Sequence, residues 1–201
     1  MENMLPVDPE ALRDEVRHKY RAVAERPGDT YHFHTGRPLA ARLGYDQELV
    51  AALPDQAVES FAGVAHPFEL RALHPGERVV DVGAGSGFDS FIASMQVAPD
   101  GRVIGVDMTD EMLDKATRTA AELGDQRVEF RKGLAEELPV DDEWADVVIS
   151  NGVINLCADK AQVLAEIGRV LRPGGVLQFA DIANGRPVPK EAKRDIDLWT
   201  G

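Results

Sequence analysis

The sequence predicts an α/β fold in which a doubly wound, mostly parallel β-sheet carries helices on both faces. Short runs rich in Val and Ile alternate with stretches whose apolar residues recur every three or four positions, and this alternation continues from residue 76 to 182. Alternating strands and helices favour a parallel sheet, because the helix that links two parallel strands packs back onto the sheet. A glycine-rich turn directly after the first apolar run supports the same fold. At 201 residues the chain has the length of a single domain.

Residues 1–75 are expected to form a helical N-terminal extension. Within it, 9–26 is predicted to be a charged amphipathic helix that ends at a Pro-Gly pair, and its apolar face is formed by Leu12, Val16, Tyr20 and Val23. A polar and aromatic stretch follows at 31–38. Two shorter helical pieces are then predicted near 46–53 and 67–73.

The core of the fold is expected within 76–182, and 183–201 is expected to begin a C-terminal helix. Strands are predicted at 78–82, 102–107, 127–131, 145–150 and 175–181. Helices are predicted at 87–97, 110–123, 159–171 and 189–199. Thr109 or Asp110 is placed to cap the second of these helices. The run from Leu171 to Gly175 is expected to end the third helix and turn into the fifth strand.

Composition restricts the classes of partner. The net charge of −13 argues against nucleic acid and against an anionic membrane surface, because both require a basic face on the protein. No apolar run approaches the ~20 residues that a membrane-spanning helix requires, and the N-terminus lacks the pattern of a signal peptide. The single cysteine, Cys157, excludes an internal disulfide. We therefore expect a cytoplasmic protein that acts on a small molecule, with an oligomeric state that the sequence does not indicate.

The turn after the first strand distinguishes two nucleotide-type cofactors. A dinucleotide-binding turn follows the pattern G-x-G-x-x-G, and the position of its third glycine is occupied here by Phe88. Asp81 would also place a carboxylate beside a pyrophosphate, which it would repel. S-adenosylmethionine (SAM) has no phosphate but carries an ammonium and a sulfonium, so an acid at this strand end suits it. The turn residues expected to approach SAM are Gly83, Ala84, Gly85 and Gly87.

Further along the chain, five other residues are candidates for binding the nucleoside part of SAM. Asp107 ends the second strand roughly 20 residues after the glycine turn, where a carboxylate accepts both ribose hydroxyls; the alternative is a cap on the next helix. Met108 is placed either over the adenine or in the core. A backbone N–H at Leu134 or Ala135 is a candidate donor to the adenine edge. Glu136 is a candidate acceptor for the adenine amine, with an ordinary polar loop as the alternative.

Polar residues after the fourth strand fall where the reactive methyl group would lie. Asn151 is a candidate for binding the cofactor and for shaping the mouth of the acceptor site, and Gly152 is a candidate for leaving room there. Both are catalytic-site candidates, with turn or cap roles as the alternative, and the same two interpretations apply to Asn155.

The histidines and the cysteine are further candidates. His32, His34 and His66 are the candidate bases for an acceptor that must lose a proton. The pair formed by His32 and His34 has no Asp, Glu or Cys neighbour in sequence, so we expect no metal site. Cys157 is expected to be a buried, inert thiol.

Four segments together resemble class I SAM-dependent methyltransferases, which have a Rossmann-like fold, and are similar to the arsenite methyltransferase family. The segments are Asp81–Asp89, Val103–Thr109, Val148–Leu156 and Arg169–Gly175, and the resemblance runs from about Leu43 to the C-terminus. It implies SAM as cofactor and methyl transfer to trivalent arsenic held by cysteine thiolates.

The chain departs from that family at the cysteine positions. The resemblance places cysteines at Val64 and at Gly152, and a third just beyond Gly201. Trivalent arsenic prefers soft thiolates, so a C- or O-methyltransferase of a quinone-like acceptor is an alternative, as is a truncated SAM-binding protein without turnover. An NAD-linked oxidoreductase is disfavoured by Asp81 and Phe88. The resemblance also implies that further strands follow at the C-terminal end of the sheet. We therefore expect that the sequence is cut short at the position of a cysteine-like residue. The cause would be either a selenocysteine codon that is read as a stop or trimming of the chain.

Overall fold

A computed structural model describes residues 7–31, 33–188 and 199. Within this part of the chain, five parallel strands form one sheet in the order β3-β2-β1-β4-β5. The strands are β1 (Arg78–Val82), β2 (Arg102–Asp107), β3 (Val128–Lys132), β4 (Ala145–Asn151) and β5 (Leu171–Ala180). The doubly wound parallel sheet is therefore confirmed.

The fifth strand differs from its prediction at its start. Leu171 already pairs with Ala145, and after a shift of register Val176 pairs with Val147. The turn expected between Leu171 and Gly175 is thus an irregularity inside β5, since the chain passes from the preceding helix directly into pairing with β4. The other four strands lie within one residue of their predicted ends.

Seven α-helices are described, and they agree with the predicted helices better in the core than in the N-terminal extension. They are α1 (Pro9–Glu25), α2 (Gly36–Arg42), α3 (Gln47–Ala51), α4 (Asp55–Val58), α5 (Phe88–Val97), α6 (Asp110–Leu123) and α7 (Lys160–Val170). Helices α2 and α4 were not predicted. The helix expected at 67–73 is a single 3-10 turn, Pro67–Glu69. The buried Gln178 amide donates hydrogen bonds to the carbonyl oxygens of Pro67 and Arg71, at 3.0 and 2.9 Å, so these carbonyls serve the contact with β5. The helix expected at 189–199 lies outside the described residues except for Trp199.

Side chains of successive strand residues point to opposite faces of the sheet, which fixes the direction of the chemistry-bearing groups. Val79 belongs to the core under α5, whereas Val80 and Val82 belong to the core under α7. Asp81 consequently points toward α5, where Ser90 lies. None of the described helices is both long and apolar enough to cross a membrane.

Helix α1 crosses the carboxyl end of the sheet. It is joined to α6 by an ion pair between Arg21 Nε and Glu111 Oε1 at 2.5 Å, and to the loop after β3 by Arg13 and Glu136 at 3.3 Å. Its buried residue Val23 packs in one cluster with Met112 of α6. This position makes α1 a wall of the space above β1 and β2.

Candidate functional site

A cleft of about 1040 Å³ opens at the carboxyl ends of β1, β2 and β4. In this strand order the direction of winding reverses between β1 and β4, which is where doubly wound sheets bind ligands. The predicted site residues that line the cleft are Asp81, Gly83, Ala84, Gly85, Asp107, Met108, Leu134, Ala135, Glu136, Asn151 and Gly152.

The glycine turn is shaped by contacts on one side and open space on the other. Gly83 has φ +78°, and a Cβ there would lie 2.3 Å from a methyl carbon of Val153. Gly85 has φ +54°, and its nearest neighbour to a Cβ would be the Met112 sulfur at 4.0 Å, so this position faces the cleft. Gly87 does not line the cleft. A Cβ built at this position would lie 2.7 Å from the ring of Phe130. Gly87 therefore allows α5 to pack closely on the sheet, and it does not face a ligand.

The place of the third dinucleotide-motif glycine is filled by a core residue. Phe88 is 2% exposed, and its ring centroid lies 4.2 Å from that of Phe61 and 4.9 Å from that of Tyr45. The third glycine of a dinucleotide-binding turn lets the helix pack closely on the strand, and this position has no such glycine here.

Asp81 is a buried acid at the end of β1. It is 3% exposed and accepts one hydrogen bond from Ser90 Oγ at 2.6 Å. Burial, and secondarily the carboxylate of Asp89, raise the pKa of Asp81 to about 8. A cationic ligand group beside this carboxyl would favour its ionised form, so the site is suited to a positive charge.

Asp107 ends β2 and accepts hydrogen bonds from two backbone N–H groups, one in the glycine turn and one at the start of α6. Its Oδ2 accepts from the Gly85 N–H at 2.9 Å, and its Oδ1 accepts from the Thr109 N–H at 2.8 Å. Burial raises its pKa, while these N–H groups oppose the rise. The Thr109 hydroxyl and the Met108 N–H also lower the pKa of this carboxyl by hydrogen bonding. Binding of a vicinal diol by Asp107 stays a prediction.

A third buried acid, Asp89, was not identified from the sequence. It is 6% exposed and accepts from the Tyr45 hydroxyl at 2.6 Å and from the Asn151 amide at 3.0 Å. Burial raises its pKa to about 6, although both hydrogen bonds oppose the rise. Asp89 lies in the first turn of α5, where an acid is ordinarily explained by the helix dipole, and this explanation hid its position in the cleft.

Asn151 anchors the segment that faces the end of β4. Its Oδ1 accepts from the N–H groups of Val64 and Ala65 at 2.8 and 3.2 Å, and its Nδ2 donates to the Ala65 carbonyl at 2.9 Å. Its amide is thus engaged with protein groups at both ends. Gly152 has φ +77°, and a Cβ there would lie 3.1 Å from Val64. The two positions at which the family resemblance places cysteines are therefore in contact.

Comparison with known proteins identifies the family. The model of the methyltransferase domain matches residues 73–200. The chain belongs to the methyltransferase-domain family. It is similar to the arsenite methyltransferase of Halobacterium salinarum, with 40% identity over 208 residues that cover 96% of this chain and 53% of that protein. It is also similar to the crystal structure of an arsenic(III) S-adenosylmethionine methyltransferase from Chlamydomonas reinhardtii, with 39% identity, a TM-score of 0.68, and coverage of 73% of this chain and 51% of that one.

A second solved structure has the same core. The SAM-dependent methyltransferase from Aquifex aeolicus matches with 27% identity and a TM-score of 0.54, over 62% of this chain and 70% of that one. The resemblance to class I SAM-dependent methyltransferases near the arsenite group is therefore confirmed. The chain spans about half the length of the Halobacterium relative.

Helix α1 adds residues to the cleft of this methyltransferase domain that sequence reasoning missed. Arg13, Val16 and Tyr20 line it. Burial, followed by the charges of Asp107 and Asp181, raises the pKa of Tyr20 to about 12. The apolar face of α1 was visible in the sequence, but the pattern does not indicate what that face covers.

The loop after β3 is engaged with α1. Glu136 Oε1 accepts from Arg13 at 3.3 Å, so one oxygen of this candidate adenine acceptor already has a partner. Leu134 and Glu137 form an isolated antiparallel bridge that tightens the loop. Adenine contacts from Leu134, Ala135 and Glu136 remain predictions.

Asn155 and Cys157 follow β4, and the structure gives them different surroundings. The Asn155 N–H donates to Asp181 Oδ2 at 2.9 Å, and its amide, oriented to satisfy both ends, donates to the Gly152 carbonyl and to Asp181. Asn155 thus has the turn role of the two considered. Cys157 lines the cleft, and burial together with Glu136 raises its thiol pKa to about 12.

The structure does not bring the candidate histidines to the methyltransferase cleft. His66 packs behind the cleft wall, with its ring 4.0 Å from that of Tyr45, and burial lowers its pKa. His34 is exposed on the outer surface beside Tyr31 and Arg42, and His32 lies outside the described residues. His34 and His66 do not line the cleft, and their role as bases stays a prediction.

Proposed function

We propose that this domain binds SAM in the cleft and transfers its methyl group to a small acceptor. The observation that carries the proposal is the convergence of Asp81 and Asp107 on one cleft around the Gly83–Gly87 turn. Family membership supports the same cofactor.

The residues at the first two strand ends fit the polar groups of SAM. Asp81, a buried carboxyl with a single hydroxyl partner, suits the ammonium directly or through water. Asp107, held in place by the N–H groups of Gly85 and Thr109, would accept from the ribose hydroxyls. Gly85 leaves the space that the ligand backbone would occupy. Met108, Leu134 and the wall formed by α1 would enclose the adenine.

The chain's contribution to the reaction is alignment and exclusion of water. SAM supplies a methyl carbon activated by the adjacent sulfonium. The acceptor must reach that carbon opposite the sulfur, and holding both reactants in line supplies much of the rate. Gly152 and Val153 leave an open, apolar wall for the acceptor, while Asn151 fixes the segment that faces them.

A soft acceptor that needs no general base fits this cleft best. With His34 and His66 placed elsewhere, the titratable groups near the end of β4 are Asp89 and Cys157, and the thiol is protonated at neutral pH. Arsenic(III) is the acceptor that the relatives' names give, and it is soft. Val64 and Gly152 supply no thiolate, so thiolate ligands for arsenic would come from small thiols in the medium.

A quinone-like carbon or oxygen acceptor is the second candidate. The observation in its favour is the apolar lining by Phe61, Val153 and Leu156 together with the lack of a thiolate pair at Val64 and Gly152. A cytoplasmic location is proposed as the setting for either reaction, because the free thiol of Cys157 persists in a reducing compartment.

Calorimetry and methyl-transfer assays test the proposal. Purified protein is titrated with SAM and with NAD, and we expect SAM alone to bind. Radiolabelled SAM is then incubated with arsenite plus glutathione and, separately, with a panel of quinols. Product from arsenite supports the first candidate, and product from a quinol supports the second. No SAM binding, or preferential binding of NAD, would refute the proposed function.

A further inference from the structure

We propose that Asp89 is a positioning residue for methyl transfer, which acts through Asn151 to hold the side of the cleft that faces the acceptor. This side, called the acceptor wall here, is the segment 61–65, and its first three residues line the cleft. The inference rests on the proposed function and extends it to a residue that no ligand needs to touch. Asp89 thereby controls the use of the acceptor, whereas SAM binding depends on other residues.

The acceptor wall has no helix or strand of its own to fix its position. The N–H groups of Val64 and Ala65 both donate to Asn151 Oδ1, at 2.8 and 3.2 Å, and the Ala65 carbonyl accepts from Asn151 Nδ2 at 2.9 Å. The packing is close, because a Cβ added at Gly63 would lie 2.4 Å from the same nitrogen. One side chain at the end of β4 therefore holds three backbone groups of the wall.

Asp89 fixes which end of the Asn151 amide faces the wall. Asn151 Nδ2 donates to Asp89 Oδ2 at 3.0 Å. An ionised carboxylate only accepts hydrogen bonds, so the amide must turn its nitrogen toward Asp89 and its oxygen toward the two N–H groups of the wall. The reversed amide would set oxygen against oxygen on one side and N–H against N–H on the other. Asp89 and the wall therefore require the same orientation.

The second oxygen of Asp89 is held by a core residue. The Tyr45 hydroxyl donates to Asp89 Oδ1 at 2.6 Å. Tyr45 is buried, and its ring centroid lies 4.9 Å from that of Phe88 and 5.5 Å from that of Phe61. The carboxylate is thus tied to the core on one side and to the Asn151 amide on the other. Since both oxygens have protein partners, support of Asn151 is favoured over contact with a ligand.

The position of the wall matters for the acceptor. The wall lies beside the residues that follow β4, since a Cβ at Gly152 would lie 3.1 Å from Val64. The acceptor is proposed to enter between these two sides. A displacement of about 1 Å in the groups that orient a reactant can lower the rate about a hundredfold. A wall released from Asn151 should therefore slow methyl transfer.

The groups proposed to bind SAM do not depend on this network. Asp81 accepts from Ser90 Oγ, and Asp107 accepts from backbone N–H groups of the glycine turn and of α6. Neither carboxyl bonds to Asp89 or to Asn151. Loss of the bond between Asp89 and Asn151 should therefore reduce turnover and leave SAM affinity nearly unchanged.

A cycle of three variants tests whether the bond between Asp89 and Asn151 holds the wall. Asn151→Asp sets two carboxylates against each other in place of the 3.0 Å bond, so the wall should be released. Asp89→Asn offers one acceptor oxygen to two donors, so its effect should be smaller. In the double variant the amide at position 89 can donate to the carboxylate at position 151, which still accepts from the wall. A large part of the loss in Asn151→Asp should therefore be recovered.

Hydrogen exchange and methyl-transfer kinetics provide the two readouts. The Val64 and Ala65 amides should exchange at least about tenfold faster in Asn151→Asp than in the wild type. Radiolabelled SAM is supplied with arsenite plus glutathione or with a quinol. In Asn151→Asp, kcat should fall at least about tenfold, while the Kd of SAM from calorimetry changes less than about threefold. General destabilisation would not separate these two quantities.

Asp125→Asn is the matched control for loss of a largely buried carboxylate. Asp125 accepts from Ser94 Oγ at 2.5 Å and from the Arg127 N–H at 3.0 Å, in the loop that leads into the amino end of β3. This change should lower the stability of the fold. Because the site is remote, the exchange of Val64 and Ala65 and the value of kcat should each change less than about twofold.

The outcomes distinguish this inference from the proposed function. Unchanged exchange at Val64 and Ala65 in Asn151→Asp, or a double variant whose losses equal the sum of the two single losses, overturns the role of Asp89. A fall in SAM affinity that matches the fall in kcat also overturns it. Absence of SAM binding or of methyl transfer in the wild type refutes the proposed function instead, and the exchange data then still decide whether Asp89 holds the wall.

Discussion

The two ends of the cleft are built in different ways. At the cofactor end, the side chains follow directly from the ends of β1 and β2, and Asp107 binds a backbone N–H of the glycine turn. At the acceptor end, Tyr45, Asp89 and Asn151 meet through side-chain hydrogen bonds between residues 44 to 106 positions apart. The first end depends on local backbone geometry and the second on long-range polar contacts. We expect the first to tolerate little change and the second to be adjustable.

The largest effect is expected at the glycine turn. Gly83→Ala would force a Cβ to within 2.3 Å of Val153 in a positive-φ conformation, so we expect a loss of about 3–5 kcal/mol in the free energy of unfolding. Gly76→Ala is the matched control, because Gly76 has φ +86° but open space around its Cβ position. It should lose only about 1 kcal/mol. Urea denaturation measures both, and equal losses would show that strain rather than contact with Val153 dominates.

The next effect is expected at Asp107. Replacement by Ala removes the acceptor proposed for the ribose hydroxyls and the observed acceptor for two backbone N–H groups, so SAM affinity should fall at least about tenfold. Asp110→Ala, at an exposed position three residues away, should change the affinity less than about twofold. Calorimetric titration decides this, and unchanged affinity in Asp107→Ala would contradict the assignment.

A smaller effect on cofactor binding is expected at Asn151. Asn151→Ala leaves the Val64 and Ala65 N–H groups without their acceptor, and this should cost about 1–3 kcal/mol of stability. Hydrogen exchange at these two amides should accelerate, whereas SAM affinity should stay within about threefold. A parallel loss of SAM affinity and of stability would show that the two ends of the cleft are not separable.

A further effect concerns how the stability of the ligand-free protein depends on pH. In the folded state the pKa of Asp81 is raised to about 8 and that of Asp89 to about 6, both primarily by burial, against about 3.9 in the unfolded chain. The folded state therefore binds more protons between those values, and stability should fall as pH rises from about 4 to 8. Thermal unfolding at several pH values measures the slope. Asp81→Asn should flatten it, and a slope of the opposite sign would contradict these pKa directions.

The same contrast explains which features sequence reasoning could find. The order of strands and helices from Arg78 onward followed from periodicity, and Asp81 and Asp107 followed from their positions at strand ends. Asp89 has a local explanation at a helix N-terminus that conceals its position in the cleft. Tyr45 carries no local signal, because its partners come from distant segments.

The N-terminal region shows a further limit of periodicity. Helix α1 was predicted from its apolar face, but that face does not identify its partner, so Tyr20 and Arg13 were missed. Conversely, His66 has the chemistry of a base, yet its placement behind Tyr45 depends on how the 61–69 segment folds back onto the sheet. Short helices such as α2 escape detection because seven residues that include Gly36 and Pro38 are too few to show a periodic apolar face.

The placement of α1 has a kinetic consequence. This helix covers part of the cleft, and its charged connections to the rest of the domain include Arg13 with Glu136 and Arg21 with Glu111. Both connections are partly accessible to solvent, so dissolved ions weaken them far more than they weaken the apolar floor of the cleft. The residence time of a bound nucleoside should therefore shorten as ionic strength increases.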